Sequence, residues 1–229
     1  MTVALAVIAV AVAAGAVVSI AARDLRLALI GVAVVAVGSA LLVDPLSSPL
    51  ILAIRIVGAL LAVALLWTVV VATHDEAAAG GRRGSRGPLD GDAGSPLGWP
   101  AEALIAAGAA FAGLGIAANI TGGGFSVVGA GPTEVTVSLT AASPIAAAAT
   151  ASLVLGLAPA MFGRSAIRGA IGLVLIVHGA IGLRIALAGS PADLEQLVFA
   201  GLVIACASIG FASPGVEHPA ADHDARPGG

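Results

Sequence analysis

The chain has no tyrosine, no lysine and a single cysteine, and aromatic residues make up only 3% of its 229 positions. Each shortage removes a class of function. One cysteine, Cys206, cannot close a disulfide within the chain or build a cysteine metal cluster. So few rings leave no platform on which bases or flat cofactors could stack, and a formal net charge of −3 gives no attraction to nucleic acid. The sequence also lacks a HExxH pair, a CxxC cluster, a nucleophile–base pair and a glycine-rich nucleotide loop. An autonomous enzyme, a cofactor and a resident metal are therefore not expected. That every basic residue is arginine fits GC-rich codon usage and carries no mechanism.

What the chain has instead is apolar length. Hydrophobic residues make up 59% of it, charged residues 10%, and the mean hydropathy is +1.09, outside the range of soluble domains. A helix needs about 20 apolar residues to cross a bilayer. Runs of that kind occupy residues 3–22, 26–43, 50–72, 101–120, 139–161, 166–188 and 194–213. They are rich in Ala, Leu and Val without strict alternation, which predicts helices rather than barrel strands. The expected fold is all-α: a polytopic bundle of seven transmembrane helices in a lipid bilayer.

Arginine predicts the orientation, because arginine-rich short loops stay cytoplasmic. Arg23 and Arg26 follow the first run, Arg82, Arg83 and Arg86 the third, Arg164 and Arg168 the fifth, and Arg226 lies in the tail. Residues 44–49, 121–138 and 189–193 contain none. The N-terminus is thus expected outside and the C-terminus in the cytoplasm. The first run has no basic n-region and is longer than a signal-peptide core, so it is expected to be a retained span. The stretch HDEAAAGGRRGSRGPLDGDAGSPLG reads as a flexible cytoplasmic linker. It divides a three-helix portion, 1–73, from a four-helix portion, 100–213, with the linker at 74–99 and a tail at 214–229 whose Pro and Gly predict disorder. The external segment TGGGFSVVGAGPTE has glycines but no P-loop context. RDLRLALIG at 23–31 and RSAIRGAIG at 164–172 echo each other. The positive-inside pattern alone produces part of that likeness, so duplication and coincidence both stay open.

Ionisable groups within a membrane are costly and become functional candidates by default. Arg55 lies near the start of the third run and Arg184 near the end of the sixth, where each can extend its charge to the surface or form an ion pair. Asp193 and Glu195 are the nearest acidic residues to Arg184. Being two apart, they cannot share a helix face. His178 stands at the centre of IRGAIGLVLIVHGAIGLR, near the bilayer midplane. It can donate a hydrogen bond to the next helix and hold the bundle together, or relay protons. A haem or metal role lacks a second embedded histidine, since His74, His218 and His223 lie outside the runs. Gly169, Gly172, Gly179 and Gly182, with Ala180 and Ala186, predict close packing of this helix against protein.

Residues 164–213 begin RSAIRGAIGL and end CASIGFAS: a basic loop, an arginine shortly before Ile-Gly-Leu at a helix start, a small outer loop, and a last helix closing on Ala-Ser-Ile-Gly. That order resembles the small membrane subunit K of bacterial NADH-quinone oxidoreductase and the related C subunit of multisubunit cation/proton antiporters. The layout of three spans, a linker and four spans is similar to the E component of hydrogenase-4 and formate-hydrogenlyase-type complexes. The resemblance implies a non-catalytic oxidoreductase-complex subunit in the bacterial cytoplasmic membrane, packed against antiporter-like subunits and supporting proton or cation translocation. On this reading His178, Arg184, Glu195 and Arg55 are the relay or polar-axis candidates. Where the related proteins carry acidic or amide groups, this chain has Val174, Val177 and Cys206, so the usual carboxylate chain is missing. The residues leave a second reading open, a stand-alone small-solute transporter or scaffold. Its polar candidates within the runs are few: Asn119, Thr150 and Ser152, with Pro144 and Pro159 as breaks.

Overall fold

The computed structural model describes residues 2–42, 49–79, 99–120, 142–162, 165–189 and 192–212, and all of its elements are helices. They are α1 (Thr2–Ala21), α2 (Leu25–Leu42), α3 (Pro49–Ala79), α4 (Trp99–Ile120), α5 (Ala142–Phe162), α6 (Ala166–Ala188) and α7 (Asp193–Ala212). Six are long and apolar enough to cross a membrane; in α4 the apolar stretch Pro100–Ile116 is shorter. The chain is a multi-pass membrane protein. The segment 121–138, the tail 214–229 and residues 80–98 of the expected linker lie outside the described residues. Residues 74–79 correct the linker boundary: they continue α3. The apolar run ends before them, but His-Asp-Glu-Ala-Ala-Ala contains good helix formers, and helix propensity does not stop where hydropathy does.

Two hairpins in this bundle are built alike. A Cβ placed on Gly31 of α2 would lie 2.6 Å from Gly15 O and Ser19 N of α1. One on Gly172 of α6 would lie 2.7 Å from Gly156 O and 2.6 Å from Ala160 N of α5. Gly38 faces Ile8 and Val12, while Gly179 faces Ala149 and Leu153. Every member of the first set has its counterpart 141 positions later: 8 and 149, 12 and 153, 15 and 156, 19 and 160, 31 and 172, 38 and 179. The residues preceding α2 and α6 obey the same offset. Asp24 accepts the Arg26 amide at 2.9 Å, and Ser165 caps α6 by accepting the Arg168 amide at 3.3 Å, each satisfying an otherwise orphaned first-turn donor. The echo at 23–31 and 164–172 belongs to a residue-by-residue structural repeat.

The third helix of each unit extends it. α3 packs on α2 as α7 packs on α6, and α1 touches α5, α2 touches α6 and α3 touches α7. α3 and α7 run parallel, with Gly58 beside Ala200 and Leu66 beside Gly210. The helix without a counterpart is α4, packed mainly on α5 and antiparallel to it: Thr150 Oγ1 lies 2.8 Å from Ala109 O, and Gly113 fits against Ala146. One extra antiparallel element is what sets a second three-helix unit parallel to the first, giving repeats related by rotation about an axis along the helices. Leu29, Leu66, Ile171 and Leu175 fill the core between the units.

The packing face of α6 is narrower than its run of small residues suggests. Gly172, Gly179 and Gly182 contact α5, but nothing lies within 4 Å of a Cβ on Gly169, and Ala180 is exposed. Gly169 and Ala180 are therefore not part of the close interface. On the helix wheel they fall to one side of the Gly172, Gly179 and Gly182 face, about a quarter turn or more from its centre.

Candidate functional site: a cavity between the repeats

A cavity opens between α2 and α3 of the first unit and α6 and α7 of the second, lined by Ser39, Arg55, His178 and Gln196 with apolar walls that include Ala59 and Ala200. Ala40 and Ile181, Arg55 and Gln196, and Ala59 and Ala200 all line it, and each pair is 141 apart. The cavity thus sits on the axis that relates the repeats. It runs from the level of Arg55 and Gln196, within two turns of the starts of α3 and α7, to His178. That histidine is ten residues from the end of α6, or about 15 Å at 1.5 Å per residue, half the hydrocarbon thickness. The space open to centres of water-sized spheres is about 60 Å³, room for several waters. A second space of about 10 Å³, lined by Ser39, Ser152 and His178 among others, adjoins it, so His178 and Ser39 stand between the two.

Symmetric scaffold and asymmetric lining have different owners. The glycines that let the hairpins close occur in both units, whereas the cavity positions have diverged: His178 answers to Val37, and Gln196 to Arg55. The polar lining is thus less symmetric than the scaffold, although Arg55 and Gln196 stand at equivalent positions of the two units.

His178 is 8% exposed, and its Nδ1 lies 2.8 Å from Val174 O one turn back. A carbonyl only accepts, so Nδ1 carries the hydrogen, and in the neutral ring Nε2 is the bare lone pair. This corrects the expectation of a bond to the next helix. Helical side chains tilt toward the N-terminus, which brings Nδ1 over the carbonyl of residue i−4. Ser19, Ser39 and Ser152 likewise donate to Ala16, Ala36 and Ala148 of their own helices, the economical solution where no water competes. Among the described residues nothing hydrogen-bonds to Nε2. The ring is tied on one side and chemically open on the other, at the floor of the cavity.

Arg55 lines the same cavity and is half-buried, and no described residue accepts a hydrogen bond from its guanidinium. Arg184 is arranged differently. Its Nε and Nη2 donate to Glu195 Oε1 and Oε2, both at 2.7 Å, and its Nη1 donates to Gly189 O at 2.7 Å. Gly189 ends α6 with φ +79°, a conformation that suits glycine, and Glu195 sits in the first turn of α7, where the helix dipole favours a carboxylate. Arg184 and Glu195 thus clamp the α6–α7 turn beside the cavity without lining it. Asp193 is exposed. Both partners of the clamp are about one-third exposed, so screening limits it. A double-mutant cycle with Arg184→Ala and Glu195→Ala in detergent is expected to give a coupling of about 0.5–1 kcal/mol; zero coupling would remove the clamp.

Val174, Val177 and Cys206, the positions the sequence resemblance singled out, are buried, each 9% exposed or less. Two polar residues emerge that sequence reasoning passed over. Gln196, adjacent to Glu195, is 8% exposed and faces the cavity; its place in an apolar run was the available signal. Glu102, in the first turn of α4, is 3% exposed, and neither carboxylate oxygen has a hydrogen-bond partner among the described residues. Glu102→Leu is expected to raise stability by about 1–3 kcal/mol, because it removes an unsatisfied buried group. A lower melting temperature in the same detergent would show that the carboxylate is supported.

At the other end of the bundle, the Arg168 guanidinium donates to Ile20 O at 3.3 Å and Ala22 O at 3.1 Å. It supplies donors to carbonyls that end α1 and ties the second unit to the first. Among the described residues no cluster of three His, Cys, Asp or Glu could hold a metal.

Comparison with protein-family models, curated proteins and solved structures gives no match.

Proposed function

We propose that the chain is a non-catalytic membrane subunit of a respiratory complex of the hydrogenase-4, NADH dehydrogenase or cation/proton antiporter kind. In this reading seven helices span the bacterial cytoplasmic membrane, with the N-terminus outside, and the subunit packs against antiporter-like partners. The observation that carries the proposal is His178: a titratable ring near mid-membrane, at the floor of a polar cavity, with one nitrogen anchored and the other free to take a proton. With Val174, Val177 and Cys206 in place of carboxylates, the proton path through this subunit is short and depends on that ring. Arg55 and Gln196 mark its outer opening, and Arg184 with Glu195 hold the turn beside it. Purification of the tagged chain from its native membrane in mild detergent tests the subunit reading. Large antiporter-like subunits are expected to accompany it in fixed ratio; recovery as a stable solitary chain would count against the reading.

A second reading, a stand-alone small-solute transporter, is favoured by one observation: equivalent residues of two parallel repeats line the same cavity, the usual place for a transport site. Proteoliposomes containing this chain alone separate the two, since solute uptake without partners is expected only for the transporter.

A further inference from the structure

Where α1 lies beside α5, the two units meet through surfaces that are not equivalent. On α5, Ala148, Ala151, Ser152 and Leu155 form one face, each 3% exposed or less, and Ala148 and Ser152 border the first unit at Val12, Val35 and Ser39. The residues 141 positions earlier are Val7, Val10, Ala11 and Ala14. All four are exposed, Val7 at 63% and Val10 at 69%. The other side of α1 is the reverse case: Leu5 and Ala9 are buried, and their counterparts on α5, Ala146 and Thr150, lie against α4. The first unit thus covers one side of the second, and α4 covers the other. An interface between unlike faces leaves each end of a row open unless something caps it. α4 caps one end, and among the described residues nothing caps the other, the Val7 face of α1.

That face differs in kind from the other outward faces of the bundle. α2, α3, α4 and α7 present Leu27, Trp67, Phe111 and Leu197 among other large side chains, all exposed. α1 presents Val3, Val7, Val10 and Val18 with Ala11 and Ala14 between them, a stripe at helical spacing. Valine in a helix keeps mostly one χ1 rotamer and alanine has none to lose, so the stripe gives up little conformational entropy against a fixed surface. In lipid, close packing of short side chains is what holds helices together. We propose that the face of α1 carrying Val7, Val10 and Ala14 is the docking surface for a helix hairpin of a different membrane subunit. The proposal rests on the subunit reading and names the face through which it operates. A second copy of this chain is not the occupant, because both versions of the surface that would fit, at Leu5 and Ala9 and at Ala146 and Thr150, are already covered within the chain. The partner presents Gly or Ala at the contact, since Val7 and Val10 stand where α5 has Ala148 and Ala151.

Val7→Phe and Ala14→Phe in the tagged full chain, purified from its native membrane in mild detergent, test it against Leu104→Phe and Leu197→Phe on the outward faces of α4 and α7. All four positions are exposed, so the chain itself is expected to fold and run monodisperse in every variant. Recovery of the accompanying subunits is expected to fall by about 10-fold or more in the two α1 variants, the scale of overpacking a close contact, and to stay within about 2-fold in the controls. A benzoylphenylalanine photo-crosslinker at position 7 or 14 is expected to form an adduct with the same subunit that the α1 variants lose, and it decides the matter if a phenylalanine variant fails to fold. Recovery that survives both α1 variants, or falls equally in the controls, would overturn the choice of face and leave the subunit reading intact. An adduct only of two copies of this chain would overturn it as well. An unaltered chain that arrives alone would remove the subunit reading and this proposal with it.

Discussion

Gly172→Val and Gly31→Val are each expected to prevent the bundle from closing, with a loss of more than about 3 kcal/mol and little monodisperse protein on size-exclusion chromatography. At each position even a Cβ would lie 2.6–2.7 Å from backbone atoms of the facing helix, so relief requires the helices to separate. Overpacking of a well-filled core already costs about 1–3 kcal/mol, and here the obstacle is main chain rather than a side chain that can turn aside. In lipid the loss is compounded, since helix association rests on close packing of small residues. Two controls sharpen the test. Gly169→Ala and Gly108→Ala, where nothing lies within 4 Å, are expected to be neutral or stabilising by up to about 1 kcal/mol through helix propensity. Similar losses at 31 and 172 are also what a repeated hairpin requires; a large loss at one and none at the other would argue that the two interfaces are not equivalent.

His178→Leu carries the second large effect. Leucine fills much of the volume of the ring and removes its titratable nitrogen, so on the proposed function the bundle should assemble while proton-coupled turnover of the complex falls by about 10²–10⁴-fold, the range typical of proton-transfer groups. The bond to Val174 O is local to α6, and its loss is expected to change stability by about 1 kcal/mol. His178→Gln, which keeps a donor for Val174 O but cannot take a proton near neutral pH, distinguishes structure from relay. If Gln restores turnover, the ring is a packing element. If both variants fail while retaining assembly, the ring carries the proton.

Much of this architecture was legible in the sequence because a bilayer imposes its length on every helix. Six of the seven runs match helices that satisfy that length, and the short motif around Arg23 and Arg164 pointed to a repeat whose full extent only the packing of Gly15, Gly31, Gly156 and Gly172 revealed. What stayed hidden was direction. In a soluble helix polar residues mark the outer face, but here lipid and core are both apolar, so Gly169 and Gly172 look equivalent although one meets nothing and the other meets backbone. The same ambiguity concealed which way His178 turns and that Gln196, not its neighbour Glu195, faces the cavity. Glu102 was hidden because its position at a helix start suggests exposure, whereas packing encloses it.

On the proposed function, the cavity that runs between the repeats to His178 admits water from the outer face of the membrane. Substituted-cysteine labelling measures this directly: Cys206→Ser removes the native thiol, and single cysteines are placed at Ala40, Ala59 and Ala200 in the lining, with Val35, 1% exposed, as a buried control. A membrane-impermeant thiol reagent added outside is expected to label the three lining positions and spare position 35, whereas the same reagent added from the cytoplasm labels none. Absence of labelling at all three, or labelling only from the cytoplasmic side, would contradict the account.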